Sequence, residues 1–248
     1  MTALYDKLTA LKLDFMAKGL NDAITSAAAG NLSHSDMLGR LVDLELDGRQ
    51  ERSIQRRFRL SKLQSQPDIA AFDFDYDKSR RQSRARILRL LDLDFIRKGT
   101  NVVIIGNPGV GKTALAKTIA WKACQANVRV LFTPAMHMLN HLVASRADHS
   151  LVRKLKIYTD PALLCIDEVG YLSLDQETSN LFFQVVSTRH ADKRSTIITT
   201  NTAFSEWGNI LFNTTIAVAI ADRLVENSEV FLLGGRSWRV PNNSTVQS

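Results

Sequence analysis

The stretch NVVIIGNPGVGKT, residues 101–113, constrains this chain more than any other. An apolar run over 102–105 enters Gly106, Asn107, Pro108, Gly109, Val110, Gly111, Lys112 and Thr113, and a helical pattern follows directly. That is G-x-x-x-x-G-K-[ST] between a strand and a helix, the context in which the pattern has physical meaning. Glycines let the backbone turn tightly, so that successive N–H groups point inward at an anion. The helix opening at Lys112 adds its positive end. Lys112 is placed for the β- and γ-phosphates, and the Thr113 hydroxyl is suited to Mg²⁺. The stretch implies a nucleoside triphosphate site.

A second apolar run, Leu163, Leu164, Cys165 and Ile166, ends in Asp167-Glu168. An acid at a strand end, downstream of a P-loop, is placed to hold Mg²⁺, and the next acid to polarise an attacking water. A kinase has no use for the second acid, whereas a hydrolase has. Asn201 ends a third strand, STIITTN, where it reads equally well as a turn residue or as a sensor of the terminal phosphate. Arg223 lies too far along its helix to serve its own P-loop. Spacing alone favours an ordinary ion pair with Asp222 or Glu226.

Around these motifs, strands alternate with helices, which predicts parallel βαβ units covered on both faces. VRVLFTP reads as a strand ending at Pro134, 135–157 as one or two helices, 176–190 and 216–225 as helices, and 229–233 as a last strand. Before the core, residues 3–30 show helical apolar spacing, and Ser33 with Asp36 resembles a capping box opening a long helix to about 63. Pro67 closes that region. The expected organisation is a helical N-terminal domain over 1–66, a linker over 67–78 and an ATPase core over 79–248. Phe72, Phe74 and Tyr76 of the linker are expected to dock on the core, with Ile87, Leu88 and Leu91 of the following helix pointing inward. Cys124 and Cys165 sit in apolar patterns without metal-ligand spacing and read as reduced core residues of a cytoplasmic protein. No apolar run is long enough to span a membrane.

The formal net charge of +7 points to an anionic partner. Its distribution is blocky. Arg49, Arg52, Arg56, Arg57, Arg59 and Lys62 form one block, and Lys78, Arg80, Arg81, Arg84, Arg86 and Arg89 another. Arg146, Arg153, Lys154 and Lys156 decorate the helices after the second strand. Charge alone divides evenly between DNA phosphates on one side and a solvated face or another subunit on the other. His137 and His141 lack the further ligands a metal site needs.

Together the motifs resemble the AAA+ ATPases and, within them, the IstB family of insertion-sequence ATP-binding proteins, which is similar to the helicase loader DnaC. The resemblance rests on FDFD (72–75), the P-loop, LLCIDEVGYLSLD (163–175), LFFQVVSTRH (181–190), IITTN (197–201), FSEW (204–207), AIADRL (219–224) and GGRSWR, nearly the whole chain. Departures are small: Val110 replaces a common Thr or Ser, and Ala114 a frequent His. The resemblance implies an α/β AAA+ core with a five-stranded parallel sheet after a small all-helical domain. It implies ATP and Mg²⁺ as cofactors, Asn201 as sensor I, Arg223 as an arginine finger serving a neighbouring subunit, and Arg236 as a candidate sensor II. It tilts the basic blocks toward duplex DNA and implies a homo-oligomer working with a transposase, away from membranes. A helicase loader of the DnaC type is the alternative.

Overall fold

Helices of the N-terminal region need partners for the backbone groups at their ends, and those partners decide where they stop. The computed structural model describes residues 2–30, 33–171, 174–235 and 237. They form two compact units, Met1–Arg56 and Arg57–Ser248. The first holds α1 (Thr2–Ala10), α2 (Asp14–Ala28) and most of α3 (His34–Ser61), around Met16, Leu20, Ala23 and Leu41. The helical run expected over 3–30 is broken at Lys12, which has φ +59°. The Leu13 N–H donates to the Leu8 carbonyl at 2.8 Å and the Lys12 N–H to that of Thr9 at 2.9 Å, the helix-ending pair that a left-handed residue creates. Glycine commonly fills that position; here a lysine does, so the break left no local signature.

Reopening the helix depends on a remote side chain. Glu45 Oε2 accepts from the N–H groups of Phe15 at 2.8 Å and Met16 at 3.0 Å, satisfying the start of α2. Arg49 donates through Nε to Glu45 Oε1 at 2.6 Å and through Nη2 to the Lys12 carbonyl at 2.8 Å. Burial opposes the charge of Glu45, but Arg49 and the two N–H groups outweigh it and hold the carboxyl below its usual range. At the start of α3, the Asp36 N–H donates to Ser33 Oγ at 3.1 Å and the Ser33 hydroxyl to Asp36 Oδ2 at 2.7 Å, in line with the expected cap.

The second unit contains α4 (Lys78–Leu90), α5 (Asp94–Arg97), β1 (Asn101–Gly106), α6 (Lys112–Gln125), β2 (Val130–Pro134), α7 (Ala135–Ala147) and α8 (Leu151–Thr159). β3 (Leu163–Asp167), α9 (Gln176–Ala191), β4 (Ser195–Thr200), α10 (Thr214–Val225) and β5 (Ser228–Leu233) complete it. Among the described residues the strands make one parallel five-stranded sheet, order β2-β3-β4-β1-β5. This is the α/β, AAA+-like architecture. Successive strand residues face opposite layers. Leu164, Ile166 and Ile198 pack with α7 to α10, and Val102, Ile104, Leu163, Cys165 and Ile197 with α4 to α6. No helix among the described residues is long and apolar enough to cross a membrane.

At the start of β3 and β4, fully buried Arg189 of α9 collects backbone carbonyls. It donates to those of Tyr158 at 3.1 Å, Thr159 at 3.1 Å, Pro161 at 2.8 Å and Ser195, and to Thr196 Oγ1 at 3.0 Å. Burial lowers its pKa to about 9. Part of the LFFQVVSTRH signature is therefore a fold device.

The segment ahead of α4 belongs to this second unit. Leu63 and Phe72 are buried in its core, and Phe58, Ile69 and Phe74 pack against them. The division between units accordingly falls at Arg56/Arg57, inside α3, earlier than the expected boundary after 66. On α4, Ile87 and Leu90 are buried with Leu91 alongside, whereas Leu88, expected inward, is exposed. Its neighbours at 87, 90 and 91 share one helical face, which Leu88 does not.

Arg80 is the larger correction. Expected among the DNA-contacting residues, it is 1% exposed. Its guanidinium lies 4.7 Å from the centroids of both the Phe72 and Tyr76 rings. Nη1 donates to the Asp73 carbonyl at 2.9 Å and Nη2 to the Val110 carbonyl in the P-loop at 2.5 Å. A guanidinium so enclosed does not reach a phosphate on another molecule.

Two outcomes follow from these buried groups. Arg80→Met keeps an apolar stem but strands two carbonyls, so unfolding should cost about 2–3 kcal/mol less than in the parent. Unchanged urea or thermal unfolding would remove the bracing role. Glu45 has a depressed folded pKa, so its contribution is fully present above the unfolded value and is lost as pH falls through the folded one. The stability gap between Glu45→Gln and the parent should therefore be widest at neutral pH, narrow below about 4.5 and close in stronger acid. A gap independent of pH would mean that the carboxylate's charge is not what caps α2.

Candidate functional site

β1 is hydrogen-bonded on both edges, to β4 and β5, and delivers the P-loop at the carboxyl edge of the sheet. That edge is where open parallel sheets bind ligands. The loop's glycines answer specific demands. A side chain on Gly106 would meet the Leu233 carbonyl at 2.2 Å, and Gly109 and Gly111 have φ of +81° and +90°. Val110 contributes backbone only, because its side chain is buried in the core. Lys112 is 8% exposed, and its Nζ donates to the carbonyls of Gly106 at 2.7 Å and Asn107 at 2.9 Å. With Arg80 on the Val110 carbonyl, three of the loop's carbonyls are held by cations; the Val110 N–H turns back to the Asn107 carbonyl at 3.4 Å, and an anion would be met by the remaining N–H groups.

β3 brings in the two acids. Thr113 Oγ1 donates to Asp167 Oδ1 at 2.9 Å, and Thr199 Oγ1 of β4 donates to the same oxygen. The Glu168 N–H donates to Thr199 Oγ1 at 3.0 Å. Glu168 is exposed, with φ +63°, a left-handed conformation that costs a side-chain-bearing residue about 1–2 kcal/mol. Strain of this sort persists only where surroundings enforce it.

Asn201 follows β4, and its Oδ1 is buried with no hydrogen-bond partner among the described residues. That oxygen lies against Gly170, where any Cβ would sit 1.8 Å from it. A cleft of about 390 Å³ gathers Pro108, Gly109, Gly111, Lys112, Thr113, Glu168 and Asn201. Ser65 and Pro67, from the segment after α3, line it too, with Ala114 and Lys117. Sequence reasoning did not single out Ser65, Pro67 or Thr199. Only Pro67 carried a signal, and it read as a helix stop.

Thr113 Oγ1 and Asp167 Oδ1 are hard oxygen donors already in contact, a donor set that fits Mg²⁺ beside a phosphate chain. Among the described residues no cluster of His, Cys, Asp or Glu suits a metal of their own. His141 instead shares a 2.7 Å hydrogen bond with the Tyr158 hydroxyl, and burial lowers its pKa. Both cysteines are buried, and burial raises their thiol pKa values.

Arg223 does not line the cleft. On α10 it donates to the Ala219 carbonyl at 2.8 Å, with its guanidinium 4.8 Å from the Phe183 ring centroid. The contact with Glu226 belongs to a neighbour: His190 Nε2 lies 3.3 Å from its carboxylate. Arg236 lies outside the described residues.

The basic candidates are scattered. In the first unit Arg49 is engaged with Glu45, Arg52 pairs with Asp14 at 3.2 Å, and Arg56 is exposed. In the second, Arg57 donates to Asn127 Oδ1 at 3.1 Å, while Arg59, Lys62 and Arg81 are exposed. Arg84 stands 5.5 Å from the Phe74 ring centroid, and Arg146 pairs with Glu177 at 2.5 Å. Arg153 and Lys156 share a shallow depression with His149 at the turn between α7 and α8; Lys154 is half-buried nearby on α8.

With this geometry described, comparison with known proteins adds the lineage. The family model "IstB-like ATP binding protein" matches residues 6–246. A protein of insertion sequence IS5376 from Geobacillus stearothermophilus is 36% identical over 93% of this chain and 90% of its own length. One of insertion sequence IS232 from Bacillus thuringiensis is 33% identical over 98% of both. Among solved structures, the DnaC helicase loader is similar in fold with a TM-score of 0.55 at 19% identity, over 72% of this chain and 98% of its own. DnaI gives 0.58 at 18% identity, over 73% and 93%. On the family match and on relatives aligned along almost their entire length, this chain belongs to the IstB-like ATP-binding proteins of insertion sequences.

Proposed function

We propose that this chain is an ATP-hydrolysing, DNA-binding regulator of transposition that assembles on duplex DNA, prepares a target site and recruits or stimulates a transposase. The observation that carries the ATPase part is the convergence of Lys112, Thr113, Glu168 and Asn201 on one cleft, with Asp167 bonded beneath Thr113. In this reading the P-loop N–H groups and Lys112 hold the phosphates. Glu168 takes the proton of the attacking water, and the Asn201 amide orients that water or senses the terminal phosphate. Thr113 and Asp167 would hold Mg²⁺, which supplies charge neutralisation on the phosphates when bound.

Arg223 is assigned to a neighbour's site, because it stands outside the cleft of its own chain. ATP then becomes the glue between subunits, and hydrolysis the signal that loosens them. The insertion-sequence origin of the relatives supports transposition as the process served. DNA is assigned to the exposed part of the basic set, notably Arg56, Arg59, Lys62, Arg81, Arg84, Arg153 and Lys156. Such contacts give strong salt dependence and little sequence preference.

Light scattering with a short duplex should show growth into a large complex with ATP but not with ADP. A monomer indifferent to duplex, yet responsive to single strands and a hexameric helicase, would favour the loader reading instead. Glu168→Gln should bind ATP and lower phosphate release by about 10²-fold or more. Arg223→Ala should be similarly slow, and a mixture of the two should recover part of the activity. In a mixed interface, intact Glu168 from one subunit meets intact Arg223 from the next. Absence of any recovery would count against the shared site.

A further inference from the structure

Thr199 stands out because a hydroxyl is buried where neighbouring strands supply mostly aliphatic side chains. It is 1% exposed on β4, paired in register with Ile104 of β1. Buried hydroxyls demand partners, and this one has two that belong to consecutive residues of the Asp167-Glu168 pair. The chemistry fixes the direction of each bond. An ionised Asp167 carboxylate only accepts, so the hydroxyl proton of Thr199 goes to Asp167 Oδ1. The Glu168 N–H only donates, so it uses a lone pair of the same hydroxyl, at 3.0 Å.

One side chain thereby fixes two things at once. It joins Thr113 on Asp167 Oδ1, which orients that carboxylate toward the P-loop threonine. It also anchors the backbone of Glu168 in its left-handed conformation. Because φ of Glu168 decides where its side chain leaves the backbone, the anchor aims the carboxylate that lines the cleft. The adjacent Thr200 does not share this work: its Oγ1 accepts from the Thr202 N–H at 3.1 Å, within the turn that carries Asn201.

We propose that Thr199 is a positioning residue for ATP hydrolysis, holding Asp167 and Glu168 in register with the P-loop without touching nucleotide itself. This rests on the ATPase reading above. Misplacing a reacting group by a fraction of a bond length is enough to slow a reaction strongly, so the effect should fall on turnover rather than on binding.

The test uses Thr199→Val, which keeps shape and β-branching but removes the hydroxyl, and Thr199→Ser, which restores it. The full chain is assayed with duplex DNA for phosphate release at varied ATP and varied Mg²⁺, for affinity of a fluorescent ATP analogue, and for thermal unfolding. For Thr199→Val, kcat should drop by about 10–10²-fold. KM for ATP and analogue affinity should change less than about threefold, and half-maximal activity should need more Mg²⁺. Thr199→Ser should recover most of kcat. A valine variant that turns over within twofold of the parent overturns the proposal. So does a serine variant as slow as the valine one, or a valine variant whose analogue affinity falls in step with turnover. A parent protein that releases no phosphate above the Glu168→Gln background is a different result: it removes the ATPase reading on which the proposal stands.

Discussion

A loop that offers its N–H groups to an anion must first dispose of its carbonyls. Peptide units turn as wholes, so holding the Gly106 and Val110 carbonyls also fixes the direction of the N–H groups of Asn107 and Gly111, whereas the unit after Asn107 ends in Pro108 and has no N–H to direct. Lys112 takes the carbonyls of Gly106 and Asn107 from within, and Arg80 takes that of Val110 from behind. Both cations are themselves held in place. Lys112 is buried at the start of α6, and Arg80 is stacked between Phe72 and Tyr76. The acidic aromatic segment thus braces the P-loop from behind, outside the cleft itself. Its aromatic rings and the P-loop are linked through one guanidinium.

Charge sign proved a poor guide to role. Arg80 and Arg189 are fully buried cations that organise backbone carbonyls, one at the P-loop and one at the opposite ends of β3 and β4. Arg81 and Arg84, within four positions of Arg80, are exposed. Helical phase separates Arg81, which lies a quarter-turn or more from Arg80 and from Ile87, one heptad on. It does not separate Arg84, one turn beyond Arg80 on the same face, which is exposed with its guanidinium 5.5 Å from the Phe74 ring centroid. A count of basic residues merges these populations, and phase alone resolves only part of them.

The sequence made the sheet, the P-loop and the acid pair legible because each depends on near neighbours in the chain. Strand-forming runs end in their functional residues, and Gly109 and Gly111 of the loop are specified by local φ. What escaped depends on remote partners. The break between α1 and α2 needs Glu45 from α3 and a left-handed lysine. Ser65 and Pro67 reach the cleft only because residues 57–77 fold onto the core. Thr199 looks like one more β-branched strand residue in IITTN until β3 is laid beside β4 and its hydroxyl is found between the Asp167 carboxylate and the Glu168 N–H.

The location of Arg223 completes the physical logic of the proposed activity. Phosphoryl transfer accumulates negative charge that the site must meet with fixed positive charge. Among the described residues, the cationic side chains that line the cleft are Lys112 and Lys117. Lys112 arises at the base of the loop, and Lys117 lies along α6 with its ammonium 5.4 Å from the Phe132 ring centroid. Arg223 is held on α10 by the Ala219 carbonyl and the Phe183 ring, away from this cleft. A lone subunit would then bind the triphosphate more readily than it cleaves it, because binding uses the loop and cleavage needs a further cation. In the proposed reading, distributing the two requirements over two copies would make turnover conditional on assembly, as a protein proposed to act by accumulating at a site requires.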